Sequence, residues 1–128
     1  LRGLSDPASW VPVQAHEMGL EVGRHAGSGK VLTFAPIYAV EGGSDIYDLL
    51  AVGPFVWRSG SLLEPAERRD LGLPSHDEFA RLLAQEPPGA ILTGFEGSLE
   101  APWIDFARER GYEMVRLPGE KVLWLLKR

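Results

Sequence analysis

Apolar residues recur at helical spacing in several stretches of this chain and run unbroken through a few short ones. The stretch from Ser75 to Gly94 holds both kinds back to back. Phe79, Leu82 and Leu83 share one face of a helix, while Asp77, Glu78, Arg81 and Gln85 face away. Ser75 and Glu78 have the spacing of a capping box at its start. Pro87 and Pro88 stop it, because proline lacks the N–H a helix needs and pushes the preceding residue toward extended geometry. Ala90, Ile91 and Leu92 then form an uncharged run ending at Thr93-Gly94, as expected for a strand covered on both faces. Helix, tight link and buried strand make half of a layered α/β unit.

The remaining pattern extends that unit. Val11, Ala15, Met18 and Val22 form an apolar stripe opposite Gln14, Glu17, Glu21 and Arg24, which predicts an amphipathic helix from Trp10 to His25. Pro12 suits its first turn. Gly19 and Gly23 each weaken it by about 1 kcal/mol relative to alanine, and Gly27 or Gly29 ends it. Val31 to Phe34 reads as the first buried strand, stopped by Pro36, with Ala35 to Ser44 as the loop behind it. A strand is expected near Leu49 to Val52, broken by Gly53-Pro54-Phe55, and a short charged helix from Glu64 to Leu71, closed by Gly72. Phe95 to Glu100 reads as a loop. Pro102 opens a helix with Trp103, Ile104, Phe106 and Ala107 as its apolar face, closed by Gly111. Tyr112 to Leu117 and Val122 to Leu126 read as an antiparallel hairpin on the sheet edge. Its turn at Pro118-Gly119 has the type II signature and needs positive φ at Gly119. Together these elements predict one α/β domain over residues 1–128: a three-layer, Rossmann-like arrangement with a mostly parallel sheet and a C-terminal antiparallel hairpin.

Composition narrows the function classes. With 128 residues, 45% hydrophobic and 24% charged, the chain suits one well-cored domain. A net charge of -5 and a pI near 5.2 lack the clustered basic footprint of a nucleic-acid binder. Cysteine is absent, which removes disulfides and thiolate metal sites. The longest uncharged apolar run, Val31 to Val40, is half the ~20 residues that span a bilayer and contains Pro36. The chain begins with Leu1, so a piece of a longer protein is expected.

Candidate chemistry is sparse. Gly27-Ser28-Gly29-Lys30 resembles a phosphate loop, but Arg24 and Val31 stand where that motif needs Gly and Ser or Thr. It also joins helix to strand, the reverse of the motif's order. His16, His25 and His76 lack zinc-ligand spacing, and no serine lies in a Gly-x-Ser-x-Gly elbow. No metal, cofactor or catalytic residue is assigned. The acids Asp45, Asp48, Glu96 and Glu100 fall on predicted loops near strand ends, where α/β folds bind ligands. Solvated loop acids are the plainer reading. Trp103 and Trp124 are expected in the core, whereas Trp57 beside Arg58 falls on a loop. A ligand or partner rim is therefore expected from Glu41, Asp45, Trp57, Arg58, Glu96 and Glu100.

Four stretches carry a resemblance: Gly29-Lys30-Val31-Leu32-Thr33-Phe34-Ala35-Pro36; Tyr47 through Ala51-Val52-Gly53-Pro54-Phe55 with Arg58; Pro87-Pro88-Gly89-Ala90-Ile91-Leu92-Thr93-Gly94; and Gly111-Tyr112 leading into the closing hairpin. In this order they resemble the soluble C-terminal region of bacterial multispanning glycosyltransferases similar to the dolichyl-phosphate-mannose protein mannosyltransferases and the aminoarabinose lipid A transferases. The resemblance implies a parent in the bacterial inner membrane that uses a polyprenyl-phosphate-linked sugar. It also implies a catalytic acid in a loop between membrane helices near the parent's N-terminus. No catalytic residue carries over to these residues. The implied role is an extracytoplasmic accessory domain whose partners are the membrane-embedded portion of the same protein and a sugar or lipid-linked sugar. Read from the residues alone, a free-standing α/β ligand-binding domain or enzyme and a protein-interaction module remain open.

Overall fold

The computed structural model describes residues 11–27, 29–47, 64–70 and 76–127. The elements are α1 (Val11–Ala26), β1 (Val31–Thr33), α2 (Pro36–Glu41), α3 (Pro65–Asp70), α4 (His76–Gln85), β2 (Ala90–Thr93), α5 (Ala101–Glu109), β3 (Glu113–Leu117) and β4 (Lys121–Leu125). Short 3-10 turns at Gly97–Glu100 and Pro118–Glu120 precede α5 and β4. Ser75, Gly72 and the strand expected at Leu49 to Val52 with its Gly53-Pro54-Phe55 break lie outside the described residues.

The strands form one mixed sheet in the order β1-β2-β4-β3. β1 and β2 run parallel, with Val31 opposite Ala90 and Thr33 opposite Leu92. β4 is antiparallel to both β2 and β3. The sheet of the described residues is thus mostly antiparallel, which corrects the mostly parallel expectation. The closing hairpin joins the sheet edge as expected, with β4 beside β2 and β3 outermost, while the further parallel strand expected at Leu49 to Val52 lies outside the described residues. One further parallel contact, an isolated bridge from Val31 to Ile46, lies on the outer side of β1.

Alternation along the strands divides the core. Val31, Ala90, Leu92 and Leu123 meet Val22 and Ala26 of α1 and Ala39 of α2. Leu32, Ile91 and Trp124 meet Phe79 and Leu83 of α4 and Trp103 and Ala107 of α5. Helices therefore cover both faces, and the period-two switch of side chains explains why Ala90 to Thr93 is buried at every position. On α1, Val22 is fully buried and Met18 partly buried. The side chains of Val11 and Ala15 lie outside the described residues. Trp103 and Trp124 are core residues, as expected.

Two glycine readings change. Gly19 and Gly23 are the faces through which α1 meets α2: a Cβ on either would stand 2.5 Å from a backbone oxygen, of Tyr38 and Gly42 respectively. The segment expected as a loop behind β1 is the short helix α2, which Pro36 starts because its missing N–H costs nothing in a first turn. Gly27, Gly111 and Gly119 all have positive φ, at 64°, 73° and 74°. The first two close helices, and the third has the positive φ expected of it, within the Pro118–Glu120 3-10 turn.

Two tyrosines brace the Pro87-Pro88 link. Tyr47 donates its O–H to the Glu86 carbonyl at 2.8 Å, and Tyr112 donates to the Pro88 carbonyl at 2.6 Å. Burial pushes the Tyr112 hydroxyl up to about 12, against the opposing effect of Arg110. Burial, reinforced by the charges of Glu86 and Tyr112, holds Tyr47 well above the usual phenol range.

Candidate functional site

β1 and β2 are parallel neighbours whose outgoing chains part. From β1 the chain turns into α2, whose Ala39 packs on the α1 face. From β2 it turns through the Gly97–Glu100 turn into α5, which packs on the opposite face. Adjacent parallel strands with diverging exits leave a crevice at their C-terminal ends, the general ligand position of open α/β sheets.

The crevice floor is aromatic. Tyr38 and Phe95, one from each exit, lie with ring centroids 5.0 Å apart. The Lys121 ammonium stands 4.3 Å from the centre of the Phe95 ring and donates to the Gly94 carbonyl at 2.7 Å. On the other face of the sheet, Phe34 stacks on Trp103 at 4.0 Å. Trp124 donates its indole N–H to Thr93 Oγ1 at 3.1 Å, and Thr33 Oγ1 accepts from the Ala35 N–H at 3.0 Å. Gly94 is required here twice over. Its φ is 110°, and a Cβ would stand 2.9 Å from the Glu120 carbonyl oxygen. Glu120 itself has a φ of 62°, a left-handed backbone at a non-glycine position.

From the crevice a groove of about 730 Å3 runs between α1 and the β3–β4 hairpin. Glu17 and Glu21 line its helical wall, Val115, Leu117 and Lys121 its hairpin wall, and Tyr38 and Met18 lie between. Glu21 is already engaged by His25 at 3.2 Å and by Arg24. The groove thus joins an acidic helical wall, an aromatic face and a hairpin wall that is apolar but for Lys121. None of its lining residues is a serine, cysteine or histidine.

Four of the six residues of the expected rim are described, and they fall at different places. Glu96 lies beside the crevice. Glu100 lies beneath it, 2% exposed, with its carboxylate turned inward to the backbone N–H groups of Gly94, Phe95 and Glu96. The segment expected as a loop is therefore a 3-10 turn folded around a buried acid. Glu41, at the far end of α2, faces His16 of α1 at 3.0 Å. The Asp45 carbonyl accepts from the N–H of Val31, at the start of β1, at 2.8 Å. That puts Asp45 and Glu96 at opposite ends of the parallel pair, a strand length or roughly 10 Å apart. Asp48, Trp57 and Arg58 lie outside the described residues.

The residues that sequence reasoning missed are Tyr38, Phe95 and Lys121. Tyr38 and Phe95 each follow a strand end by a few residues, a signal that was present. Lys121 reaches the crevice only through the pairing of Thr93 with Val122. The Gly27–Lys30 segment lies at the other end of the strands. Its Lys30 faces Glu86 at 3.4 Å and the Tyr47 ring at 5.4 Å, as befits a helix-to-strand link. Among the described residues, no group of three or more His, Cys, Asp or Glu could hold a metal ion, and no helix is long and apolar enough to cross a membrane.

No protein-family model matches the chain, and neither a curated protein nor a solved structure matches it.

Proposed function

We propose that this is a non-catalytic, extracytoplasmic accessory domain of a polyprenyl-phosphate-sugar-dependent membrane glycosyltransferase. In this reading it holds a sugar, a lipid-linked sugar or the membrane-embedded portion of the same protein in the crevice and its groove. The observation that carries the reading is the groove between α1 and the β3–β4 hairpin, which opens beside Tyr38 and Lys121 at the end of the parallel pair. The resemblance in the stretches around β1, β2 and the closing hairpin supplies the class of parent. A Rossmann-like, three-layer descent belongs to the same proposal. It is supported by the parallel β1–β2 pair, by the parallel bridge from Val31 to Ile46 and by helices on both sheet faces.

The reading is tested on the parent gene. Apolar segments of ~20 residues encoded upstream of Leu1 are expected. A gene for a water-soluble protein starting near Leu1 would end it. In a parent of that kind, Glu17→Arg should lower sugar transfer in membranes while leaving the protein's abundance unchanged. Unchanged transfer would remove the groove from the proposal.

A second reading, a protein-interaction module, is favoured by a different surface. Leu20 of α1 and Ile37 and Val40 of α2 are exposed, Val40 by 58%. A monomer in solution whose behaviour is indifferent to Val40→Asp would count against it.

A further inference from the structure

The carboxylate of Glu100 is the most deeply buried charge-bearing group among the described residues, at 2% exposure. Its Oε1 accepts from the backbone N–H of Gly94 at 3.0 Å, of Phe95 at 3.1 Å and of Glu96 at 3.1 Å. The Phe95 N–H is shared with Oε2 at 3.4 Å. Three successive amides converging on one oxygen form the concave array by which main chains bind anions. Gly94, with a φ of 110°, supplies the backbone turn that aims them inward. Lys121 adds positive charge from the other side by donating to the Gly94 carbonyl at 2.7 Å. The array stands at the C-terminal end of β2, in the crevice position where open α/β folds place a ligand.

We infer that the loop after β2 is an anion-binding nest whose resident anion is Glu100, and that the emptied nest takes a small oxyanion, either a carboxylate or inorganic phosphate. In the intact chain Glu100 then acts as a specificity device. A phosphorylated ligand entering the crevice meets amides already spent and a buried negative charge behind them. The crevice is left to neutral or cationic groups. The inference does not depend on the parent being a glycosyltransferase, since it concerns only which charges this crevice accepts.

The test uses Glu100→Ala in the whole chain, titrated with acetate and with inorganic phosphate, with chloride as the ionic-strength control. The variant is expected to melt roughly 5–10 °C below the parent, because its amides lose their buried partner. Acetate or phosphate should restore much of that loss saturably and shift the amide signals of residues 94–96. The parent should respond to these anions no more than to chloride. A folded variant that treats acetate and phosphate like chloride overturns the inference, and so does a parent whose 94–96 amides shift saturably with phosphate. Should Glu100→Ala fail to fold, Glu100→Gln decides, because it keeps the shape and removes the charge. Amide protons of residues 94–96 that move upfield, with a lowered Tm, support the nest. Signals and Tm like the parent's overturn it.

Discussion

Gly42 meets Gly19 backbone to backbone: a Cβ built on Gly42 would collide with the Gly19 carbonyl oxygen. This contact, with Gly23 one turn further along α1, sets how closely α2 lies against α1. Close helix approach through small residues trades intrinsic helix stability for main-chain contact, and α2 is too short at six residues to stand without it.

The sign of a glycine substitution therefore separates two views. In an exposed helix, Gly19→Ala would stabilise by up to about 1 kcal/mol. Here the crossing cannot admit the methyl, so Gly19→Ala and Gly42→Ala should each destabilise by about 1–3 kcal/mol. Urea unfolding midpoints check this, and a midpoint for Gly19→Ala above the parent's would show that the crossing yields.

Thr93→Val should cost about 1–3 kcal/mol although the two side chains are nearly isosteric. The change removes the acceptor of the Trp124 indole N–H, which stands 3.1 Å from Thr93 Oγ1 in the core. Thr93→Ser keeps the hydroxyl and should recover most of that loss. Thermal melts of the pair, with Trp fluorescence as a local probe, distinguish a lost hydrogen bond from a lost methyl.

Stability should fall in alkali. Tyr112 has a folded-state pKa of about 12, above its ordinary value of 10.0, and Tyr47 is raised as well. Both phenols stay protonated in the fold while the unfolded chain begins to release protons near pH 10, so folding is penalised as pH rises. The contribution is full below about pH 10 and is lost as pH climbs through 12. Tyr112→Phe should cost about 1 kcal/mol at neutral pH, with the hydrogen bond to the Pro88 carbonyl gone, and should flatten the fall above pH 10. Tm measured from pH 8 to 12 on parent and variant reads both effects.

Lys121→Met keeps an apolar stem and removes the ammonium that holds the Gly94 carbonyl and covers the Phe95 ring. The cost should be modest, at most about 1 kcal/mol, since the hydrogen bond is exposed. Hydrogen exchange at Phe95 and Glu96 should nevertheless quicken, because the crevice loop loses one of its two anchors. Exchange unchanged at these amides would mean that Glu100 alone holds the loop.

Local chemistry was enough to read much of the fold. The helices at Val11–Ala26, Pro65–Asp70, His76–Gln85 and Ala101–Glu109, the buried runs at Val31 and Ala90, and the hairpin turn with positive φ at Gly119 follow from periodicity, proline, glycine and the pleat. Each depends on residues a few positions apart. Long-range pairing decided the rest. Nothing in Lys121–Leu125 announces that it, rather than Glu113–Leu117, is the hairpin strand that pairs with β2, so the strand order could not be read along the chain. Gly19 and Gly23 read as weak points because their partner, Gly42, is contributed by another helix. Glu100 looked like a loop acid because the amides that bury it are positioned by the turn after β2. The crevice gathers Tyr38, Phe95 and Lys121 from three separate segments. A carboxylate's role depends on whether water or main-chain amides surround it, and only the tertiary structure sets those surroundings.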